Sequence, residues 1–493
     1  LNNKFKDLIN QTYYFPQTSF RVENNHLLFN DIPLKELIDR YGTPLKLTYL
    51  PRIGEQIERA RAFFRRAMQK VNYAQPYVFT YCTKSSHFHH VLEEVLAHQA
   101  HLELSSAVDT DIIMNLDKKG MLKKDMYILC NGYKTTDYFK GIHRMMKAGF
   151  TNVIPILDCM SELDVYEQFD IPVINIGLRM ATEEEPNFDL YTSRFGIRKS
   201  DLIPFYKERI HGNPKFKLRM LHFFVYTGIR DTTYFWSEFH KYVKTYAEIK
   251  QMSPTLDALN MGGGLPIQNS LVFEYDYQYM CNEIVSQLKS FCMEKGIPEP
   301  KIFSEFGSFT VGESGAVIYR VLGTKRQNDR EIWYIIDNSF IGTLPDLWAD
   351  KQKFIMLPVN KWDQEYQRVI LGGLTCDNDD YFSIVAEGDE LILPVIEDKE
   401  KEPLYVGFFH TGAYQESLSG FGGIQHCLIP HPKHILVDRD EDGKLTYRLF
   451  SMEQRPKDVL DLLGYHEDEE DEPLSSPEVL SAQGVKMKNE GSE

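Results

Sequence analysis

Cysteine is scarce in this chain of 493 residues. There are seven, an odd number, and no two stand in CxxC or CxxxC spacing. That argues against a disulfide framework and against a zinc ribbon, and a reduced, cytoplasmic chain is expected. No metal site is expected, and nothing calls for Mg²⁺. Long apolar runs are missing too: none approaches the ~18 residues of a membrane span. The opening "LNNKFKDLIN" has no secretion-signal core. Positive charge is short, with 55 Lys and Arg against 71 Asp and Glu and a formal net charge of −16. A general nucleic-acid binder needs clustered cations to neutralise phosphates, so that class is excluded. No GxGxxG follows the first strand of the repeating pattern, which weighs against a dinucleotide-binding sheet.

What is present is apolar bulk, 43% hydrophobic and 13% aromatic, enough for two or three domains at this length. Residues 1–40 are mixed, with a short strand in "NHLLFNDIP", and are expected to pack with a β domain. The turn-and-strand "YGTPLKLTYL" and the amphipathic helix "IGEQIERARAFFRRAMQKV" follow. Then a rhythm sets in. The strand-like runs are "PYVFTYC", "HLELS", "DMYILC", "NVIPILD", "PVINIGL", "KLRMLHFFV", "LDALNMG" and "KIFSEF". Helical stretches such as "TDYFKGIHRMMKAG" separate most of them. Strands alternating with helices imply a parallel sheet with helical crossovers, and eight such units close a (β/α)8 barrel. The barrel is placed at 41–310. From 311 to 465 strands dominate ("SGAVIYRVLGTK", "PLYVGFF", "KHILVD"), which predicts a C-terminal β-sandwich or β-barrel domain. The tail, 466–493, has six consecutive acidic residues directly after His466 and is expected to be disordered.

Four motifs carry chemistry at barrel positions. Lys84 in "YCTKSSHF" sits where the first of the eight strands ends. Alone it reads as a lysine emerging into solvent. Against apolar walls its ammonium would be destabilised, its pKa would fall, and its amine would suit a cofactor aldehyde such as that of pyridoxal phosphate. "NMGGGLP" (260–266) has three glycines that let backbone N–H groups approach a phosphate, although an ordinary turn uses glycine too. "FSEFGS" (303–308) ends the eighth strand with Glu305, either a rim carboxylate or the partner of a pyridine nitrogen. "GGLTCDNDD" (372–380) sets Cys376 beside Asp377 and Asp379. It is a turn with solvated acids, or a proton-donating thiol beside carboxylates that hold a cationic group.

Taken in order with "GAY" (412–414), these motifs resemble the pyridoxal-phosphate decarboxylases of the alanine-racemase-like fold (fold type III), over about residues 38–450. Within that group "LCNGYK" (129–134), "LPDLW" (344–348), "GLTCDNDD" (373–380) and "GAYQE" (412–416) are most similar to the biosynthetic arginine decarboxylases. The resemblance implies that Lys84 carries the cofactor and that Glu305 pairs with its ring nitrogen. Gly262, Gly263, Gly264, Thr227, Gly307 and Tyr414 would cradle the phosphate. Glu103 and Arg179 would orient the cofactor. Cys376 would return a proton to the decarboxylated carbon, and Asp377, with Asp346 and Asp379, would hold the distal end of the substrate. It also implies a homodimer or larger symmetric assembly with shared sites. The expected reaction is decarboxylation of a basic amino acid, arginine to agmatine and CO2, a step of polyamine biosynthesis. The alternatives are a decarboxylase of diaminopimelate, ornithine or carboxynorspermidine, and a non-catalytic relative that binds cofactor or a partner.

Two departures stand out. The family's ring-stacking His is replaced by Phe224 in "LHFFVYTG" (221–228), with His222 on the same strand face. A phenyl ring stacks but carries no charge. The phosphate-binding Arg of the family's E-P-G-R is replaced by Ser308, which still donates a hydrogen bond.

Overall fold

A computed structural model of the chain describes residues 18–183, 193–328, 331–383, 391–396 and 402–466. The first 17 residues and most of the acidic tail lie outside them. The eight strand-like runs form a closed barrel: β1 (Tyr77–Cys82), β2 (His101–Leu104), β3 (Tyr127–Cys130), β4 (Asn152–Leu157), β5 (Ile174–Arg179), β6 (Phe216–His222), β7 (Ala258–Asn260) and β8 (Lys301–Glu305). Each pairs in parallel with the next, and β8 closes on β1 through Ile302↔Tyr77 to Glu305↔Thr80. The barrel interior is filled by Val78, Leu129, Ile154, Ile156, Met220, Ala258 and Phe303. It is a packed core, so chemistry is left to the strand ends.

Crossover helices start where the sequence supplies caps. Ser106 accepts from the Asp109 amide while Asp109 accepts from the Ser106 amide, opening the helix Ala107–Lys118. Asp276 accepts from the Tyr279 amide and so starts the last helix at Tyr277, later than the apolar pattern alone would. That helix, Tyr277–Lys295, packs on Pro51–Val71, which precedes the barrel. The Phe63 and Tyr277 rings stack at 5.5 Å. The outer ring is thereby completed by a helix from before β1.

The rest is rich in sheet. Gly315–Arg326 is its spine: Ala316 is opposite both Leu47 of Leu45–Tyr49 and Phe409 of Tyr405–Phe409, and its far half pairs with Ile332–Ile336. Ala316 and Ile318 bury in one apolar cluster, with Phe20, Leu27, Phe29 and Leu37 of the N-terminal segment. Val317, Tyr319 and Val321, on the other face, bury in a second cluster. Both faces are covered, which is why these strands read as unbroken apolar runs without alternation. Leu45–Tyr49 corrects the boundary drawn at residue 41. It lies between Gly315–Arg326 and Lys433–Arg439 in this second sheet, outside the barrel. No described helix is long and apolar enough to cross a membrane.

Candidate active site

Every barrel strand delivers a polar side chain to the same end. Lys84 follows β1, Glu103 lies in β2, Asn131 follows β3 and Asp158 follows β4. Arg179, His222, Asn260 and Glu305 end β5, β6, β7 and β8. This is the C-terminal rim, where barrel chemistry gathers.

Lys84 sits in a 3-10 helix of one turn, Thr83–Ser85. Its Nζ donates to Glu103 Oε2 at 2.5 Å; Glu103 is fully buried, while about 41% of the lysine side chain is open. The turn is tied down by Asp109, which accepts from Thr83 Oγ1 at 3.0 Å and lies 3.0 Å from His87 Nε2. The lysine's expected pKa drop is overturned. Burial does lower it, but the acidic groups around it, Cys82 first and then Glu103, Tyr414 and Glu305, together outweigh burial and hold the ammonium above its usual range. In this form Lys84 is a charged partner of Glu103, and its amine becomes nucleophilic only when that proton leaves.

Glu305 is the most constrained group of the rim. Asn260 Nδ2 donates to Oε1 at 2.7 Å, Asn131 Nδ2 reaches both oxygens at 3.0 Å, and His222 Nε2 lies 3.2 Å from Oε2. Burial alone would raise its pKa. His222, Lys84 and Asn131 reverse that and hold the carboxyl at about 2. Arg179 also faces this charge: burial lowers its pKa while Asp158, Glu305 and Glu103 oppose the fall.

Beside Glu305 three turns interlock through glycine. Gly228, Gly262 and Gly264 have φ of 82°, 68° and 95°. A Cβ on Gly228 would lie 2.6 Å from the Gly264 carbonyl oxygen, one on Gly263 2.6 Å from that of Glu305, and one on Gly307 2.0 Å from Ser85 Oγ. A Cβ on Gly262 would stand 3.1 Å from the Phe224 ring, so Phe224 lies against the triple glycine. Thr227 and Ser308 are half-buried at the same turns. Tyr414 reaches in from the second sheet's side: its amide donates to the Ser85 carbonyl at 2.8 Å. Burial raises its phenol pKa, with Lys84, Ser85 and Ser308 as neighbours that lower it. Buried atoms without a partner, Asn131 Oδ1 and His222 Nδ1, remain at the rim.

The predicted substrate residues are placed differently. Asp346 is buried and accepts from Gln415 Nε2 at 2.7 Å. Cys376, Asp377 and Asp379 are exposed, and among the described residues none of them bonds to Lys84, Glu103 or Glu305. Their loop is anchored by Asp380, which accepts from the amides of Phe340 at 2.7 Å and Thr375 at 3.1 Å and from Thr375 Oγ1 at 2.7 Å. Asn131, Asn260, Asp109 and Asp380 were missed as site-builders, although three of the four lie inside or beside a motif already singled out.

A lysine, an anionic carboxylate and a backbone cradle on one barrel rim are the parts that an aldehyde cofactor bearing an aromatic nitrogen and a phosphate would need. The comparisons give such a site a family. Residues 55–312 match the pyridoxal-dependent decarboxylase family, pyridoxal binding domain. The chain belongs to the pyridoxal-dependent decarboxylases; it is an enzyme of the carboxy-lyase type, and its cofactor is pyridoxal phosphate. It is similar to the biosynthetic arginine decarboxylase of a Nostoc species, with 23% identity over 76% of this chain and 71% of the relative. Among solved structures it is similar to the biosynthetic arginine decarboxylase of Campylobacter jejuni (TM-score 0.77, 21% identity, 92% of this chain and 90% of that one). Diaminopimelate decarboxylase from M. jannaschii in complex with L-lysine is also similar (TM-score 0.73, 15% identity, 90% and 97%). These structural likenesses bear on the fold.

Proposed function

We propose that this enzyme decarboxylates a basic L-amino acid, with L-arginine as substrate and agmatine and CO2 as products. The observation that carries the cofactor half is the Lys84, Glu305 and glycine-turn arrangement on one rim. For the substrate, the reading is supported by relatives named biosynthetic arginine decarboxylase and by the acidic Asp377 and Asp379 loop. A planar guanidinium pairs well with a carboxylate.

Bound pyridoxal phosphate supplies an electron sink for the pair left behind as CO2 departs. This chain's residues do the rest. Lys84 Nζ would be the covalent anchor, and Glu103 holds that amine in place by accepting from it. Glu305, anionic and fixed by Asn131, Asn260 and His222, keeps the pyridine nitrogen protonated. Gly262, Gly263, Gly264, Thr227, Gly307, Ser308 and Tyr414 would hold the phosphate. Phe224, which lies against the triple glycine, would offer its ring face where the family has an imidazole, and Arg179 and Glu103 would orient the cofactor. Cys376 Sγ–H would supply the proton to Cα, and Asp377 with Asp379 would bind the distal cation. Asp346, committed to Gln415, supports the loop that carries Tyr414.

We further read the enzyme as a homodimer with shared sites. The exposed Cys376 loop, out of contact with its own chain's Lys84, supports delivery to a second copy. The unbonded state of all seven cysteines fits a reducing cytoplasm.

The test is product analysis of the purified enzyme with pyridoxal phosphate and a panel of arginine, ornithine, lysine, diaminopimelate and carboxynorspermidine. Agmatine should form fastest. Release of CO2 from ornithine or diaminopimelate but not from arginine refutes the substrate assignment. No CO2 from any of them refutes the catalytic reading of these residues.

A further inference from the structure

The sequence offers no short cysteine spacing, yet the fold builds a thiol cluster. Cys376 Sγ and Cys427 Sγ stand 3.6 Å apart across a separation of 51 residues. A ring nitrogen of His426 joins them, with all three ligand atoms within 4.8 Å of one another and all three residues exposed. Asp377 Oδ2 lies 3.7 Å from His426 Nε2. Both sides of the cluster are shaped. Cys427 and Leu428 take left-handed backbone, φ 53° and 54°, which residues with a Cβ seldom adopt. The Cys376 side is held by Asp380 through Thr375.

We propose that Cys376, Cys427 and His426, closed by Asp377, form a binding site for a thiophilic divalent cation of the Zn²⁺ class, and that occupation withholds Cys376 from proton transfer. The second half rests on the reading of Cys376 as proton donor. Two Zn–S bonds of about 2.3 Å at a tetrahedral angle set their sulfurs about 3.8 Å apart, close to the separation seen. A disulfide would need them at about 2.05 Å and an oxidant as well. Two sulfurs, one imidazole and one carboxylate match the donor set and number of a four-coordinate site. Binding is a proton exchange: each thiol gives its proton to solvent as its metal–sulfur bond forms, and no electrons change hands. A sulfur so bound has no proton to give to carbon.

The test uses the holoenzyme with its thiols kept reduced. Co²⁺ serves as the probe, because its tetrahedral thiolate complexes absorb in the red, clear of the cofactor. Wild type should take one Co²⁺ per chain with those bands, and Zn²⁺ should displace it. Cys427→Ala and His426→Ala should lose the bands. Zn²⁺ should lower wild-type turnover at least about tenfold, whereas Cys427→Ala should keep the wild-type basal rate and show no response to Zn²⁺. Absent bands, or bands kept in Cys427→Ala, overturn the site. Bands with undiminished turnover in Zn²⁺ overturn its control of the reaction. Wild-type turnover of Cys376→Ala in metal-free buffer sinks the proton-donor reading alone, and the spectroscopic result for wild type stands apart from it.

Discussion

The two ends of the barrel both carry charge, and they are built to opposite ends. At the N-terminal end Asp257 lies 2.6 Å from Arg219 Nη2 and 3.1 Å from Lys301 Nζ, with each side chain roughly a quarter to a third exposed. Positive and negative groups pair, and water completes their solvation. At the C-terminal rim Glu103 and Glu305 are buried, Lys84 is drawn to Glu103, and atoms of Asn131 and His222 are left without partners. Buried polar atoms left open are costly, so a rim of this kind is kept for what it binds. The difference teaches that charge alone does not mark the active end; unsatisfied burial does.

The largest effect should come from Lys84→Ala. Without the anchoring amine all measurable turnover should vanish, as should the absorbance of the cofactor attached to the lysine; retention of both would remove the basis for placing the site here. Next is Glu305→Gln. It keeps the shape but drops the charge that holds a ring nitrogen protonated, and kcat should fall on the order of 10²–10³-fold. Steady-state kinetics at saturating cofactor checks this, and a change of less than about threefold would show that the carboxylate only braces Asn131 and Asn260.

Acid should come third, and it acts between the barrel and the second sheet. Burial pushes His90, His431 and His434 down to about 3; for His90 and His431 the neighbouring charges include Glu416, which opposes the shift, while Lys46 reinforces it at His431 and His434. Unfolded histidine binds a proton below ~6.5. The unfolded chain therefore holds more protons between about pH 6.5 and 3, and stability present above 6.5 is lost across that window. Where all three differ, the slope approaches about 4 kcal/mol per pH unit. Glu305, depressed to about 2, adds a further loss from ~4.3 down to 2. Denaturant unfolding from pH 7 to 4 checks the slope, and His434→Gln should flatten it. A flat profile would show that these imidazoles are solvated.

Much of this was legible in the chain. The eight barrel strands announce themselves because each is a short buried run between helix signals. Lys84 and Glu305 each read alone as an ordinary rim charge, and only their order with the triple glycine and the Cys-Asp loop gave them a proposed use. Other parts were hidden for physical reasons. Leu45–Tyr49 reads like any strand, and its partners, Gly315–Arg326 and Lys433–Arg439, lie hundreds of residues away. Asn131 and Asn260 lie in quoted motifs, but an amide signals nothing until its acceptor is known. The direction of the Lys84 shift was misjudged because Glu103 arrives from another strand. The Cys376–Cys427 pair escaped because spacing rules read only local neighbours.

The smallest effect should be at the other end. Asp257→Asn removes the charge shared by Arg219 and Lys301. The carboxyl's burial would raise its pKa, but those two cations hold it below its usual range. With the side chain about 36% open, solvent screens much of that attraction, and the loss of stability should be about 0.5–1 kcal/mol. Both cations can turn to water, so no charge is stranded in an apolar site. The packed interior, from Val78 to Phe303, separates this end from the rim, and the ion pairs of Asp257 run to Arg219 and Lys301, with no rim residue joined to them among the described residues. Turnover and cofactor affinity should therefore equal wild type while the denaturation midpoint shifts slightly. A tenfold or greater drop in kcat/KM would correspond to about 1.4 kcal/mol at the transition state. That would mean the ends communicate through the interior, and the contrast between a structural end and a reactive one would fail.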